Sequence, residues 1–209
     1  MLAGILPCGA ATSQTNTVLN NQIQLGDVFS QQTLNVETVS ESTTANTTAT
    51  GNVYSASADG SDLDLRSNQT SSGDILADTN VNVATNSGAQ TNLTTTAGGN
   101  LGDANVYAGT MSAVFNQATT AATITAHSHI EAPNAETGEV FTSTQAVGNN
   151  QNLGVSVGAA GVRVNQANAA DTYSDGGGVY GLVTGAAEMT AGSMGNNVAL
   201  SGDGGSGVR

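Results

Sequence analysis

The sequence predicts an all-β protein wound as a β-solenoid, a parallel β-helix with a repeat of about 48 residues. Three observations carry this: two dipeptide ladders in phase, short stretches alternating polar and apolar residues, and a scarcity of helix formers. The first ladder is Gly-Asn, at Gly51-Asn52, Gly99-Asn100, Gly148-Asn149 and Gly195-Asn196, in steps of 48, 49 and 47. The second is Asn-Gln, at Asn21-Gln22, Asn68-Gln69, Asn116-Gln117 and Asn165-Gln166, in steps of 47, 48 and 49. In each of the three complete cases the second dipeptide follows the first by 17 residues. Gly26-Asp27-Val28 precedes Gly73-Asp74-Ile75 by 47 residues, and Leu34-Asn35-Val36 precedes Val81-Asn82-Val83 by the same distance.

Within a unit, Thr33–Glu37, Asp62–Arg66 and Asn80–Val83 alternate with period 2, which predicts strands with one face buried. The Gly-Asp pairs fall between the Gly-Asn pairs, dividing each unit into two coils of about 22–27 residues. Gly-Asn and Gly-Asp are assigned to positive-φ corners. Asn, Gln and Thr at equivalent positions are expected to stack into hydrogen-bonded ladders from coil to coil. Glu131–Glu139, with Pro133, breaks the strand pattern and is expected to bulge as a loop from the third unit.

Composition agrees with closely wound coils. Ala (30), Thr (28), Gly (27) and Asn (22) dominate, so a core packed between two conventional layers would be thin. With 38% apolar and only 9% charged residues, the chain departs from the disordered signature. It has no Lys, its arginines are Arg66, Arg163 and Arg209, and its net charge is −13. Such a chain cannot neutralise a run of phosphates, which excludes nucleic acid as a partner. No 18-residue apolar run exists, so no helical transmembrane span is expected. The negative charge reads as solubility and surface repulsion rather than as a site.

Three segments follow. Residues 1–11 resemble the back half of a secretory signal, with cleavage expected after Ala10 or Ala11. Pro7 before Cys8 does not suit a lipidation box, and the mature chain would then hold no cysteine, which suits an exported protein. Residues 12–200 form the solenoid, about four units, and 201–209 read as a flexible Gly-rich tail.

Candidate chemistry is sparse. His127, His129 and Glu131 would project from one strand face at a spacing that can hold a metal, although an exposed polar row is the stronger reading. Asp59–Asp64 and Asp171–Gly176 offer oxygen ligands for calcium but match neither an EF-hand loop nor a calcium β-roll. Thr43–Thr48 and Thr91–Thr96 suggest a flat Thr-lined face, without the strict Thr-x-Thr per coil that ice binding requires. No catalytic residue and no cofactor is assigned.

Gln24–Val36, Thr48–Ala56 and Leu63–Thr70 together resemble the holdfast anchor protein D family, best over about residues 15–120. The resemblance implies a secreted, outer-membrane-associated surface protein that ties holdfast polysaccharide to the cell, without catalysis. Its implied partners are extracellular polysaccharide and other outer-membrane anchor proteins; it brings no site residues. Two other readings stand beside it. One is a curlin-like functional-amyloid subunit, whose strict serine-to-glutamine spacing is not met. The other is a β-helix polysaccharide-degrading enzyme, for which three arginines supply few basic partners.

Overall fold

In a computed structural model, which describes residues 14–204 and 207–208, the period-2 segments are strands and the 48-residue ladder is the pitch of a parallel β-helix. Sheet one stacks β1 (Thr15–Gln24), β4 (Asp62–Ser71), β7 (Thr110–Thr119), β10 (Ala159–Asn168) and the short β13 (Gly207–Val208). Sheet two stacks β2 (Val28–Thr38), β5 (Ile75–Asn86), β8 (Thr123–Thr137) and β11 (Asp171–Val183). Sheet three stacks β3 (Ser42–Asp59), β6 (Gln90–Tyr107), β9 (Glu139–Ser156) and β12 (Ala187–Asp203).

The pairing corrects the two-coil expectation. Asn21 sits beside Asn68, Asn52 beside Asn100 and Ile75 beside Ile124, so the whole repeat is one coil. The half-repeat is nevertheless physical, because it marks alternate bends in two facing walls. One wall is β1 and β2 with a bend at Gly26-Asp27; the other is β3, bent at Gly51-Asn52. In β3 the buried positions are Thr43, Ala45, Thr47 and Ala49, then Asn52, Tyr54, Ala56 and Ala58, so the inward phase flips at Gly51. Beyond the flip, Tyr54, Ala56 and Ala58 pack on Leu63, Leu65, Met111 and Phe115 of sheet one. Before it, Ala45 and Leu93 pack on Val81, Val83 and Ile130 of sheet two.

The bend glycines are not in the left-handed region, contrary to the sequence expectation; crowding selects them at the inner bends, such as Gly51, whereas Gly26 of the first coil has open space around it. A Cβ on Gly51 would lie 2.7 Å from the Gly99 carbonyl and 2.8 Å from Ser71 Oγ. Positive φ falls instead at the sharp turn between sheets three and one, at Gly60 (62°), Ala108 (52°), Val157 (53°) and Gly204 (66°), and at Gly88 (95°) between sheets two and three. Val157 is β-branched, so its backbone there is strained.

Aspartates tie successive turns together. The Asp74 and Thr123 amides donate to Asp27 Oδ1 and Asp74 Oδ1, and the Thr110 amide donates to Asp62 Oδ1, each at 2.9 Å. The Glu131–Glu139 segment is no detached loop: β8 runs through Thr137 and absorbs its extra residues as bulges opposite β5 and β11. Ser201–Asp203, expected as tail, complete β12 against Gly154–Ser156, and Gly207–Val208 pair with Ala159–Ala160. The signal-like residues 1–11 lie outside the described residues.

Two amide ladders thread the interior. Asn52 Nδ2 donates to Asn100 Oδ1, Asn100 to Asn149 and Asn149 to Asn196, each at 2.7 Å. Gln69, Gln117 and Gln166 donate the opposite way, to Gln22, Gln69 and Gln117, at 2.7–2.8 Å. Spare amide protons reach backbone carbonyls of the facing wall, such as Asn52 to Thr70 and Gln117 to Asn150. Hydroxyl pairs Thr79–Thr95 (2.7 Å) and Ser128–Thr144 (2.6 Å) bridge the walls further along.

Because Asn100 is fully buried and bonded both above and below, Asn100→Ala leaves neighbouring amide groups unpaired in the interior. The expected loss is about 2–4 kcal/mol by urea denaturation, and a loss under about 0.5 kcal/mol would contradict the ladder's role. Burial raises the Tyr54 hydroxyl above its ordinary value and pushes Tyr180 up to about 12. Both phenols are thus favoured neutral in the fold. Their contribution is complete below the unfolded value of about 10 and is lost as pH climbs through the folded values. Melting temperature should therefore hold to about pH 10 and decline toward pH 12, with the decline reduced in Tyr54→Phe/Tyr180→Phe. An undiminished decline in that double variant would contradict this assignment.

Candidate functional site

The outward positions carry what the core does not need. On sheet two, β8 places His127, His129 and Glu131 on one outer face, as the alternation predicts. The structure divides them rather than gathering them. His127 Nδ1 lies 2.8 Å from Asp78 Oδ1 on the neighbouring coil, and His129 Nε2 lies 3.2 Å from Glu131 Oε2 on its own strand. The two rings stand nearly parallel, 6.3 Å between centroids and 6° between planes. Asp175 is the neighbour of His127 on the other side. Each imidazole thus faces its own carboxylate, and among the described residues no group of three or more His, Cys, Asp or Glu is placed to hold a metal ion.

The calcium-like stretches have another use. Asp62 accepts the Thr110 amide, and Asp171 lies beside Thr123 in the turn column that Asp27 and Asp74 also occupy. The Thr-rich stretches do stack in register, Thr43–Thr48 on Thr91–Thr96. Their outward columns run Asn46, Thr94, Ser143, Thr190 and Thr48, Thr96, Gln145, Gly192, so the first keeps its hydroxyls to the fourth coil and the second loses them after Thr96. On sheet one the outward Asn68, Asn116 and Asn165 form a further ladder at 2.7–2.8 Å, beside a column holding exposed Arg66 and Arg163.

Several grooves interrupt these faces, among them one of about 350 Å³ along Asn68, Asn116 and Asn165 on sheet one and two of greater volume elsewhere. The larger, about 770 Å³, follows the bulge in sheet two and is lined by Asn35, Glu37, Asn82, Glu131, Pro133 and Asn134 among others. The second, about 440 Å³, follows the edge of sheet three next to the positive-φ turn. Its outward columns are Ser57, Asn105, Gly154, Ser201 and Asp59, Tyr107, Ser156, Asp203. Sequence reasoning missed this groove, because its members come from four coils at positions whose residue types vary. The signal available was the 48-residue phase itself, which aligns 59, 107, 156 and 203.

Adding zinc to the purified protein should leave its melting temperature unchanged, since both imidazoles are engaged by separate carboxylates. A rise of several degrees that His127→Ala abolishes would show that the rings turn to share an ion.

Comparison with known proteins places this architecture in a family. The profile of Holdfast attachment protein D matches residues 37–209, which is 173 of the 209 residues. A protein named Holdfast attachment protein D from Caulobacter vibrioides is 42% identical over 65 residues, 31% of this chain and 22% of that protein. The matched part therefore spans less than a quarter of that relative's length. No solved structure matches the chain. The chain belongs to the Holdfast attachment protein D family.

Proposed function

We propose that this chain is a non-catalytic surface anchor, secreted to the outer membrane, where it holds holdfast polysaccharide to the cell together with other outer-membrane anchor proteins. Family membership supports the attachment role. The observation that carries the reading is the division of labour in the coil. Inward Asn and Gln amides are engaged in the ladders and most inward hydroxyls bond across the walls or to backbone carbonyls, whereas rows of Asn, Thr, Ser and Asp face outward along the helix axis. Such rows repeat at the strand spacing of about 4.8 Å and give a polymer many weak, regularly placed hydrogen bonds. A long polymer is retained by many such contacts at once, because each bond re-forms before the others release.

The enzyme reading is less well supported. Arg66 and Arg163 stand on the outer face of sheet one, away from the grooves of sheets two and three, and the smaller groove on their own sheet is lined by amides, Thr70 and alanines without a carboxylate. The amyloid reading draws on the in-register amide ladders, whose terminal members Asn52 and Asn196 each lack one ladder neighbour within the described coils.

Deleting the gene should leave holdfast synthesised but shed into the medium, measured by lectin or dye staining of cells and supernatant. Retention of holdfast on the deletion strain would overturn the anchor reading. Spontaneous assembly of the purified protein into dye-binding fibres would favour the amyloid alternative.

A further inference from the structure

We propose that the groove beside Tyr107 is a binding subsite for an extended polysaccharide chain without acidic groups, lying along the helix axis, an inference that rests on the anchor reading above. Tyr107 is the last outward residue of β6 before the turn, and it is 55% exposed. An exposed tyrosine ring is a large apolar surface with a polar tip, and Tyr107 is among the residues lining the groove. The adjacent column is kept low by Ser57, Gly154 and Ser201. Asn105 interrupts that column, and its amide leans over Gly154, where a Cβ would strike Asn105 Oδ1. Asn105 Nδ2 is held by Asp103 Oδ2 at 2.8 Å, which fixes the amide along the trough.

The resulting chemistry is an aromatic face beside amide, hydroxyl and carboxylate groups. A sugar ring is complementary to it: its C–H face lies on the phenol ring while its hydroxyls donate to carboxylates and share bonds with the amide. Charge narrows the class. The groove holds Asp59 and Asp203 with Asp103 alongside, and among its described lining residues none is cationic. Desolvating a uronate or sulfate against carboxylates is unfavourable, so an anionic polymer is rejected. The larger groove on sheet two has carboxylates and amides but offers no ring to a sugar face. On the His127 face each imidazole is already engaged by a carboxylate.

The test is calorimetric titration of the whole chain with cellohexaose and with a hexamer of galacturonic acid. Wild type should bind the neutral hexamer and not the acidic one. Tyr107→Ala should weaken binding at least about tenfold, and Tyr107→Phe should stay within about threefold. Gly154→Val, which fills the trough, should also abolish binding, and unchanged melting temperatures would exclude misfolding as the cause. No binding of the neutral hexamer by wild type, preference for the acidic hexamer, or full binding by Tyr107→Ala would overturn the subsite. In cells, Tyr107→Ala should shed holdfast as the deletion does. Retention by Tyr107→Ala with shedding by the deletion would refute the subsite and leave the anchor reading standing, whereas retention by both would refute the anchor reading.

Discussion

Each coil must lie in register on the one before it at about 4.8 Å, and the rest of the structure follows from that constraint. A parallel stack places every inward side chain directly against its equivalents, so each interior column must be compatible with itself. For apolar columns this is easy, as with Ile75 on Ile124 or Leu63 on Met111. For a buried amide it is demanding, since an unpaired one costs about 1–3 kcal/mol. An identical amide in the next coil removes that cost, because each presents a donor to one neighbour and an acceptor to the other. The Asn and Gln ladders do this in opposite directions, so their dipoles oppose one another along the axis.

Columns that are not self-similar are compensated by neighbours. Gly102 follows Tyr54 in sheet three, and Gln151 follows Gly102. Tyr54 leans across the glycine to donate to Gln151 Oε1 at 2.9 Å, two coils away, and stacks on Phe115 of the facing wall at 6.0 Å. A side chain at 102 would strike both Tyr54 and Gln151. The small residue is therefore part of the core's shape, and the abundance of Gly, Ala and Ser reflects two walls set close enough to interlock.

The period, the strands and the ladders were legible because they rest on one-dimensional spacing. The coil count was not. Gly-Asp and Gly-Asn mark bends in opposite walls of one coil, and spacing alone cannot tell a bend in a wall from a turn between coils. The glycine role was also misread: crowding at Gly51 imitates the sequence signature of a positive-φ corner, while two of the true corners hold Ala108 and Val157, which carry no turn signature. His127 and His129 shared a face as the alternation required, but their carboxylate partners depended on register, Asp78 being 49 residues away. The Tyr107 groove was invisible for the same reason, since it arises from four side chains aligned only once the coil length is known. The outer surface is thus free to vary under a fixed interior, which is how a repetitive scaffold presents different contact chemistry on each face.

The single-coil fold depends on buried amides being bonded coil to coil. Side-chain amide hydrogen exchange, followed by nuclear magnetic resonance, tests this directly. Asn100, Asn149 and Gln117 side-chain protons should exchange orders of magnitude more slowly than those of the exposed Asn105. Exchange of all four at a common, solvent-limited rate would contradict the ladders and the single 48-residue coil built on them.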